Sequence, residues 1–220
     1  MGIIETLTPA ERARQLREPE GAVGLAVAHW NSENNKVGNE KTVAELGIEA
    51  GNRVLEIGFG DGRTVRKVIA QAADVQYTGI DISPTMVEEA TRVNAEFIVT
   101  GRASFVLGSA ERMPFDDNTF DRVFSIGVIH FWTAPEVALA EVRRVLRAGG
   151  RMLMGCLAPQ GAPAFARPEY GFYLREADAW DRLCCAAGFS DIKVEDLIFE
   201  QRRADGTPIQ LHVVHMEALA

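Results

Sequence analysis

The sequence predicts an α/β fold with a mostly parallel sheet, and three observations carry that expectation. Short apolar, β-rich runs alternate with segments of helical period between Arg53 and Leu157. Proline and glycine punctuate the boundaries of those segments. After Gly188 two strand-like runs follow one another, joined by a turn sequence. Strands that alternate with helices imply right-handed crossovers and parallel pairing, whereas a terminal hairpin must add an antiparallel strand. With 220 residues, 47% of them hydrophobic, the chain can bury one sizeable core, and one domain is expected.

Taken in order, Thr8, Pro9 and Glu11 form a capping box with proline in the first turn, so a helix should run to about Arg17 and end before Pro19 and Gly21. An apolar segment from Ala22 to Trp30 leads into NSENN (31–35), read as a solvated loop, and Val37 to Leu46 is helical with Gly47 as its stop. Arg53 to Ile57 is the first buried strand, Gly62 to Ala72 the next helix and Val75 to Asp81 the second strand. Ser83 then caps a helix opened by Pro84. Ser104 to Leu107 and Arg122 to Ile126 supply two more strands. Thr133, Pro135 and Glu136 repeat the capping box ahead of a helix whose face holds Leu139, Val142 and Leu146 and which stops at Gly149 and Gly150. Arg151 to Leu157 is the fifth strand, Pro159 to Pro168 a loop and Glu176 to Ala187 a helix closed by Gly188. Ile192 to Phe199 and Ile209 to Met216 form the terminal hairpin around ADGTP. The expected organisation is a helical cap over 1–46, a ligand-binding core over 47–158, and a lid loop, helix and hairpin over 159–220.

Composition narrows the function. The balance of 23 Lys plus Arg against 31 Asp plus Glu gives a net charge of −8 with dispersed basic residues, which argues against a nucleic-acid partner. Cys156, Cys184 and Cys185 suit a reducing compartment better than a disulfide framework and lack zinc spacing. His29, His212 and His215 likewise offer no metal-ligand spacing, so no metal is expected. No apolar run is long enough for a membrane span and the start lacks a signal-peptide apolar region, so a cytoplasmic location is expected. Met1, Gly2 and Thr6 match a loose myristoylation pattern, but no polybasic patch follows to make one acyl chain an anchor.

The chemistry concentrates in VLEIGFGDG (54–62), where a buried strand runs into Gly58, Gly60 and Gly62 and then a helix. A dinucleotide fingerprint would place its third glycine where Arg63 stands, and Glu56 before the loop would repel a pyrophosphate. A carboxylate there suits an amino group or a positive sulfonium. Asp81, at the end of the second strand, is placed to accept hydrogen bonds from the hydroxyls of a ribose, each contributing on the order of 1.5 to 3 kcal/mol. Loop and acid together describe a nucleoside without a pyrophosphate.

VLEIGFGDG, GIDIS (79–83), GSAERMPFDDNTFDRVFSIGVIHFW (108–132) and EVRRVLRAGGRMLM (141–154) together resemble the class I S-adenosylmethionine-dependent methyltransferases. Among these the chain is most similar to the small ubiquinone/menaquinone-type enzymes. The resemblance spans about Gly38 to the C-terminus. It implies a Rossmann-like, doubly wound seven-stranded sheet in the order 3-2-1-4-5-7-6, with S-adenosylmethionine as cofactor and S-adenosylhomocysteine as product. By that resemblance Glu56, Gly58, Gly60 and Gly62 line the methionine and ribose side, Asp81 holds the ribose and Ile82 packs on adenine. Ser109, Ala110 and Glu111 rim the adenine edge, and Ser125, Ile126 and Gly127 run beneath the methionine. Ser109 departs from the acidic residue usual there, replacing a charged acceptor with a neutral, shorter one.

A sulfonium already activates its methyl group, so the expected mechanism is in-line displacement by a small, apolar or aromatic methyl acceptor, with positioning as the protein's main task. His130, after the fourth strand, is the candidate base, with a packed aromatic as the competing reading. Trp132, Tyr170 and Tyr173 are candidate acceptor contacts, Phe172 belonging to the same cluster. Two other classes stay open: a non-catalytic S-adenosylmethionine-binding regulator, and an NAD(P)-dependent oxidoreductase, which the loop chemistry disfavours.

Overall fold

The computed structural model describes residues 3–202 and 206–220. The myristoylation pattern's Met1 and Gly2, and part of the hairpin turn, lie outside the described residues. Seven strands form one sheet in the order β3-β2-β1-β4-β5-β7-β6. They are β1 (Arg53–Ile57), β2 (Gln76–Asp81), β3 (Ala103–Leu107), β4 (Phe120–Ile126), β5 (Leu146–Leu157), β6 (Ser190–Arg202) and β7 (Pro208–Leu219). The first five pair in parallel, and β7 inserts antiparallel between β5 and β6. The fold is thus the Rossmann-like one that the resemblance implies.

Eight α-helices cover the sheet among the described residues: α1 (Pro9–Arg17), α2 (Gly21–Asn34), α3 (Lys36–Glu45), α4 (Val65–Ile69), α5 (Pro84–Val93), α6 (Ala95–Val99), α7 (Pro135–Val145) and α8 (Ala177–Ala186). The Thr8 capping box forms as the sequence predicts, with the Glu11 carboxylate accepting the Thr8 N–H at 2.8 Å. Ser83 caps α5 by accepting the Met86 N–H at 3.2 Å. One core fills the space between the sheet and α7 and α8, with Leu139, Val142 and Trp180 fully buried. Val54, Val68 and Tyr77 fill the opposite face under α3 and α4.

Four local expectations are corrected. Residues 31–35 are not a loop: α2 runs through Asn34, and Asn35 alone separates it from α3. The second capping box does not form, because Ala134 takes the N-cap position and the Thr133 hydroxyl turns to the Glu111 carboxylate at 3.5 Å. The helix after the glycine loop is shortened to α4, with turns on either side of it. α7 ends at Val145 and Leu146 already belongs to β5, pairing with Phe120 across a register shift that absorbs Gly149 and Gly150.

Candidate functional site

Parallel pairing brings the C-terminal ends of β1, β2 and β4 to one edge of the sheet, where α/β folds of this kind hold ligands. A cavity of about 400 Å³ opens there, roofed by α1, α2 and the start of α3. Its floor is the glycine loop. Gly58 and Gly60 line it, and a Cβ built on Gly60 meets nothing within 4 Å, so that side of the loop is open backbone facing space. Gly62 does not line the cavity. At its φ of +74° a Cβ would come 2.7 Å from Ala90 Cβ and 2.9 Å from Asn94 Nδ2, so this glycine lets the loop dock on α5. Its expected ligand role becomes a packing role.

Three carboxylates surround the loop. Glu56 lies on the cavity wall but is otherwise sealed, its Oε2 accepting from the Thr64 hydroxyl at 2.5 Å and the Tyr77 hydroxyl at 2.6 Å. Burial pushes its carboxyl up to about 7 against those two hydrogen bonds. Asp81 lines the cavity, with Oδ1 accepting the Ser83 N–H at 2.9 Å and Oδ2 accepting the Gly60 N–H at 3.1 Å. Burial raises it to about 6 despite those bonds. Asp61, which sequence reasoning passed over inside the loop, is buried and raised for the same reason. Its Oδ1 accepts from the Ser32 hydroxyl at 2.8 Å, which ties α2 to the loop, and Arg63 Nε sits 2.9 Å from Oδ2. A ring of partly desolvated acids is costly alone and favours a cationic ligand.

The far side of the cavity carries the adenine candidates. Ile82 is 42% exposed on the cavity wall, with Ser109, Ala110 and Glu111 beside it. The Ser109 hydroxyl accepts the Glu111 N–H at 3.2 Å and so holds that turn. Ile126 and Gly127 line the cavity, but Ser125 is fully buried and donates to the Ile57 carbonyl at 2.8 Å, joining β4 to β1 below the floor.

The acceptor candidates separate. Trp132 lines the cavity together with Phe131 and Val128. His130 does not: it is 4% exposed, stacked on Phe172 at 5.3 Å and 8°, and its Nδ1 faces the Leu157 N–H at 3.5 Å. Burial depresses its pKa to about 3, so the ring is a neutral, packed aromatic, and the expectation of a base in the cavity is corrected to that reading. Tyr170 and Tyr173 also stand off the cavity. Tyr170 packs with Ala13, Ala166 and Phe172, and the Tyr173 N–H donates to the His130 carbonyl at 2.7 Å. Both are corrected to scaffold residues, because the loop from Phe165 to Phe172 folds onto α1 instead of over the opening.

The sequence reading missed residues from the helical roof: Gln15, Leu16 and Arg17 of α1, Ser32 of α2, and Asn35 and Asn39 beyond it. Asn31, Asn35 and Asn39 recur at the helical repeat of four, a signal present in the sequence but masked by reading 31–35 as loop. Asn35 Nδ2 donates to Asn31 Oδ1 at 2.8 Å, while Asn39 Oδ1 is buried without a hydrogen-bond partner.

A family model described as a methyltransferase domain matches residues 55–154. The O-methyltransferase rstn1 of Aspergillus nomiae is 30% identical over 188 residues, covering 79% of this chain and 83% of that one. The chain belongs to the S-adenosylmethionine-dependent methyltransferases. Its fold is also that of the Haemonchus contortus phosphoethanolamine N-methyltransferase 2 solved with phosphomonomethylethanolamine and S-adenosylhomocysteine, at a TM-score of 0.76 and 20% identity over 97% of this chain and 60% of that one. Another relative, the 27-O-demethylrifamycin SV methyltransferase of Amycolatopsis mediterranei, is 33% identical over 125 residues, and this methyltransferase spans only 46% of its length.

The residues present fit the cofactor. The open backbone at Gly60, the buried acids around the loop and the orphaned Asn39 Oδ1 match a ligand bearing an ammonium and a sulfonium. Among the described residues no group of three or more His, Cys, Asp or Glu could hold a metal ion, and no helix is long and apolar enough to cross a membrane.

Proposed function

We propose that this methyltransferase delivers a methyl group in line to a small acceptor with an apolar or aromatic body, seated between α1 and the Val128–Trp132 turn. The observation that carries the reading is the continuity of one cavity from the glycine loop to Leu16, Phe131 and Trp132. Gly58, Gly60, Asp81, Ile82, Ser109, Ala110, Glu111, Ile126 and Gly127 line the cofactor's part, with Glu56 shaping the wall through Thr64 and Tyr77. The helices α1, α2 and α3 act as a cap over it.

When bound, S-adenosylmethionine supplies a methyl carbon activated by positive sulfur. The chain's own work is to bind the cationic cofactor, orient that carbon in line with the acceptor and exclude water. With His130 outside the cavity, the acceptor's proton leaves to solvent or has already left. Relatives named for O-methylation support an oxygen nucleophile, most simply a phenol.

Incubation with methyl-labelled S-adenosylmethionine and a panel of phenols, indoles and a small-molecule extract tests the reading. A labelled small product is expected. Tight S-adenosylhomocysteine binding without any labelled product would instead support a cofactor-sensing regulator.

A further inference from the structure

We propose that residues 29–41, the end of α2 and the start of α3, form a strap that lifts to pass the cofactor and closes over it. The proposal rests on the reading of the cavity floor as the cofactor's and adds the way in.

The roof is unevenly anchored. α2 is pinned by Ala28, buried in a cluster with Phe59, Met86 and Ala90, and α3 by Val43 and, just past its end, Leu46, buried with Val54 and Val68. α1 is held through Ala13, buried against Phe172. The chain between α1 and α2 is fastened to α5, where the Pro19 carbonyl accepts the Ser83 hydroxyl at 2.5 Å and the Gly21 N–H donates to Thr85 Oγ1 at 3.1 Å. Between Ala28 and Thr42, by contrast, no residue is buried. Trp30 and Val37 on this stretch are 38% and 65% exposed, so its large apolar side chains do not hold it down. The part of a roof without apolar anchorage is the part that opens at the lowest cost.

What fastens the strap to the floor is polar. The Ser32 hydroxyl donates to Asp61 Oδ1 at 2.8 Å, and His29 Nε2 lies 3.5 Å from Glu89 Oε1 and 3.9 Å from Asp61 Oδ2. Glu33 pairs with Arg63 at 2.9 Å and Glu40 with Lys67 at 2.6 Å. The two ion pairs are partly exposed, and such contacts are individually weak and screened by salt. Asn35, where α2 gives way to α3, is the place to bend: its backbone sits at φ −101° and ψ 8°, and α3 begins without a side-chain cap.

The cofactor has a reason to close the strap. Asn31, Lys36 and Asn39 line the cavity from it, and Asn39 Oδ1 is buried without a hydrogen-bond partner. A closed strap therefore carries an unmet acceptor, which costs free energy until a donor such as the cofactor's ammonium meets it. A ligand shifts a conformational equilibrium only by what it gains in one state over the other, and Asn39 supplies that difference.

Hydrogen exchange of the intact protein, with and without S-adenosylhomocysteine, tests the strap. Without it, the amides of 29–41 are expected to exchange about tenfold or more faster than those of 24–28, and saturation should slow them about tenfold or more. The second readout is release of S-adenosylhomocysteine, followed in a stopped-flow chase by tryptophan fluorescence, since Trp132 lines the cavity. Ser32→Ala combined with Glu33→Gln, and separately Glu40→Gln, should speed release about three- to tenfold while the global unfolding midpoint stays at the parent's. Raising salt from about 50 to about 500 mM should speed release from the parent, and less so from the variants. Asp117→Asn, which removes an ion pair to Arg144 outside the cavity, should leave release unchanged. Exchange over 29–41 as slow as over 24–28, no slowing on saturation, or a release rate indifferent to the strap variants overturns the proposal. If the parent fails to bind S-adenosylhomocysteine, the cofactor assignment falls and the strap's role with it; normal binding with 29–41 as protected as its anchors removes the strap alone.

Discussion

The Asp81 carboxylate accepts the Gly60 N–H at 3.1 Å, so the acid proposed to hold the ribose also holds the glycine loop in shape. Asp81→Asn puts an amide where both the Gly60 and Ser83 N–H groups need an acceptor. We expect S-adenosylhomocysteine affinity to fall by about ten- to a hundredfold, the equivalent of one or two charged hydrogen bonds, with a smaller loss of thermal stability. Calorimetry and thermal unfolding of the same variant check the pair.

The raised acids predict a pH dependence of definite sign. For an acid whose folded pKa lies above its ordinary value, stability is fully present below that ordinary value and is lost as pH rises through the folded one. The unliganded protein should therefore lose stability between the ordinary values of 3.8 for Asp81 and 4.5 for Glu56 and the folded values of about 6 and about 7. Cationic S-adenosylmethionine favours the ionised acids, so its affinity should rise over the same interval and level off above about 7. Dissociation constants measured from pH 5 to 8.5 would refute this if they were flat or ran the other way.

Gly60→Ala and Gly62→Ala should separate binding from stability. The Gly60 methyl enters open cavity at φ +57°, giving a backbone cost of about 1 to 2 kcal/mol and a severe loss of cofactor affinity. The Gly62 methyl strikes Ala90 and Asn94 of the docked helix and its cap, so about 2 to 4 kcal/mol of stability should go. Chemical denaturation and binding titrations on both proteins distinguish the two roles, and equal effects on binding would show that Gly62 reaches the ligand after all.

His130→Phe should keep turnover, since the ring's work is to stack on Phe172 and fill space. His130→Ala should cost about 2 to 4 kcal/mol of stability through the cavity it leaves. A turnover rate that collapses in the phenylalanine variant while the fold and cofactor binding persist would restore the histidine to the mechanism.

Ser109→Asp places a charged acceptor on the part of the cavity wall proposed to meet adenine. S-adenosylmethionine affinity should hold or improve by up to about tenfold. A severe loss in a binding titration would mean that Ser109 does not face adenine.

The strands and the residues of the glycine loop were legible because they depend on local sequence, whereas the strand order came from the family resemblance and not from any local signal. β-rich runs, a glycine spacing and an acid at a strand end each sit within one short segment. The capping box at Thr8 and the cap at Ser83 formed for the same reason. The boundary of α7 was misread because Thr133 has a tertiary alternative in Glu111. His130, Tyr170 and Tyr173 look identical in sequence whether they face a ligand or a core. Tyr170 was placed by Phe172 and Ala13, His130 by stacking on Phe172, and Tyr173 by its N–H to the His130 carbonyl, contacts between segments far apart in the chain.

By itself the sequence determined a parallel sheet closed by a hairpin, and a glycine loop suited to a cationic nucleoside between Glu56 and Asp81. Only the tertiary structure decided which of those glycines line the cavity, that Glu56 is held by Thr64 and Tyr77, and that Gln15, Arg17 and Asn39 border the same cavity. The physical reason is range: hydrogen-bond spacing and period act over a few residues, whereas the facing of a side chain depends on what packs against it from far along the chain.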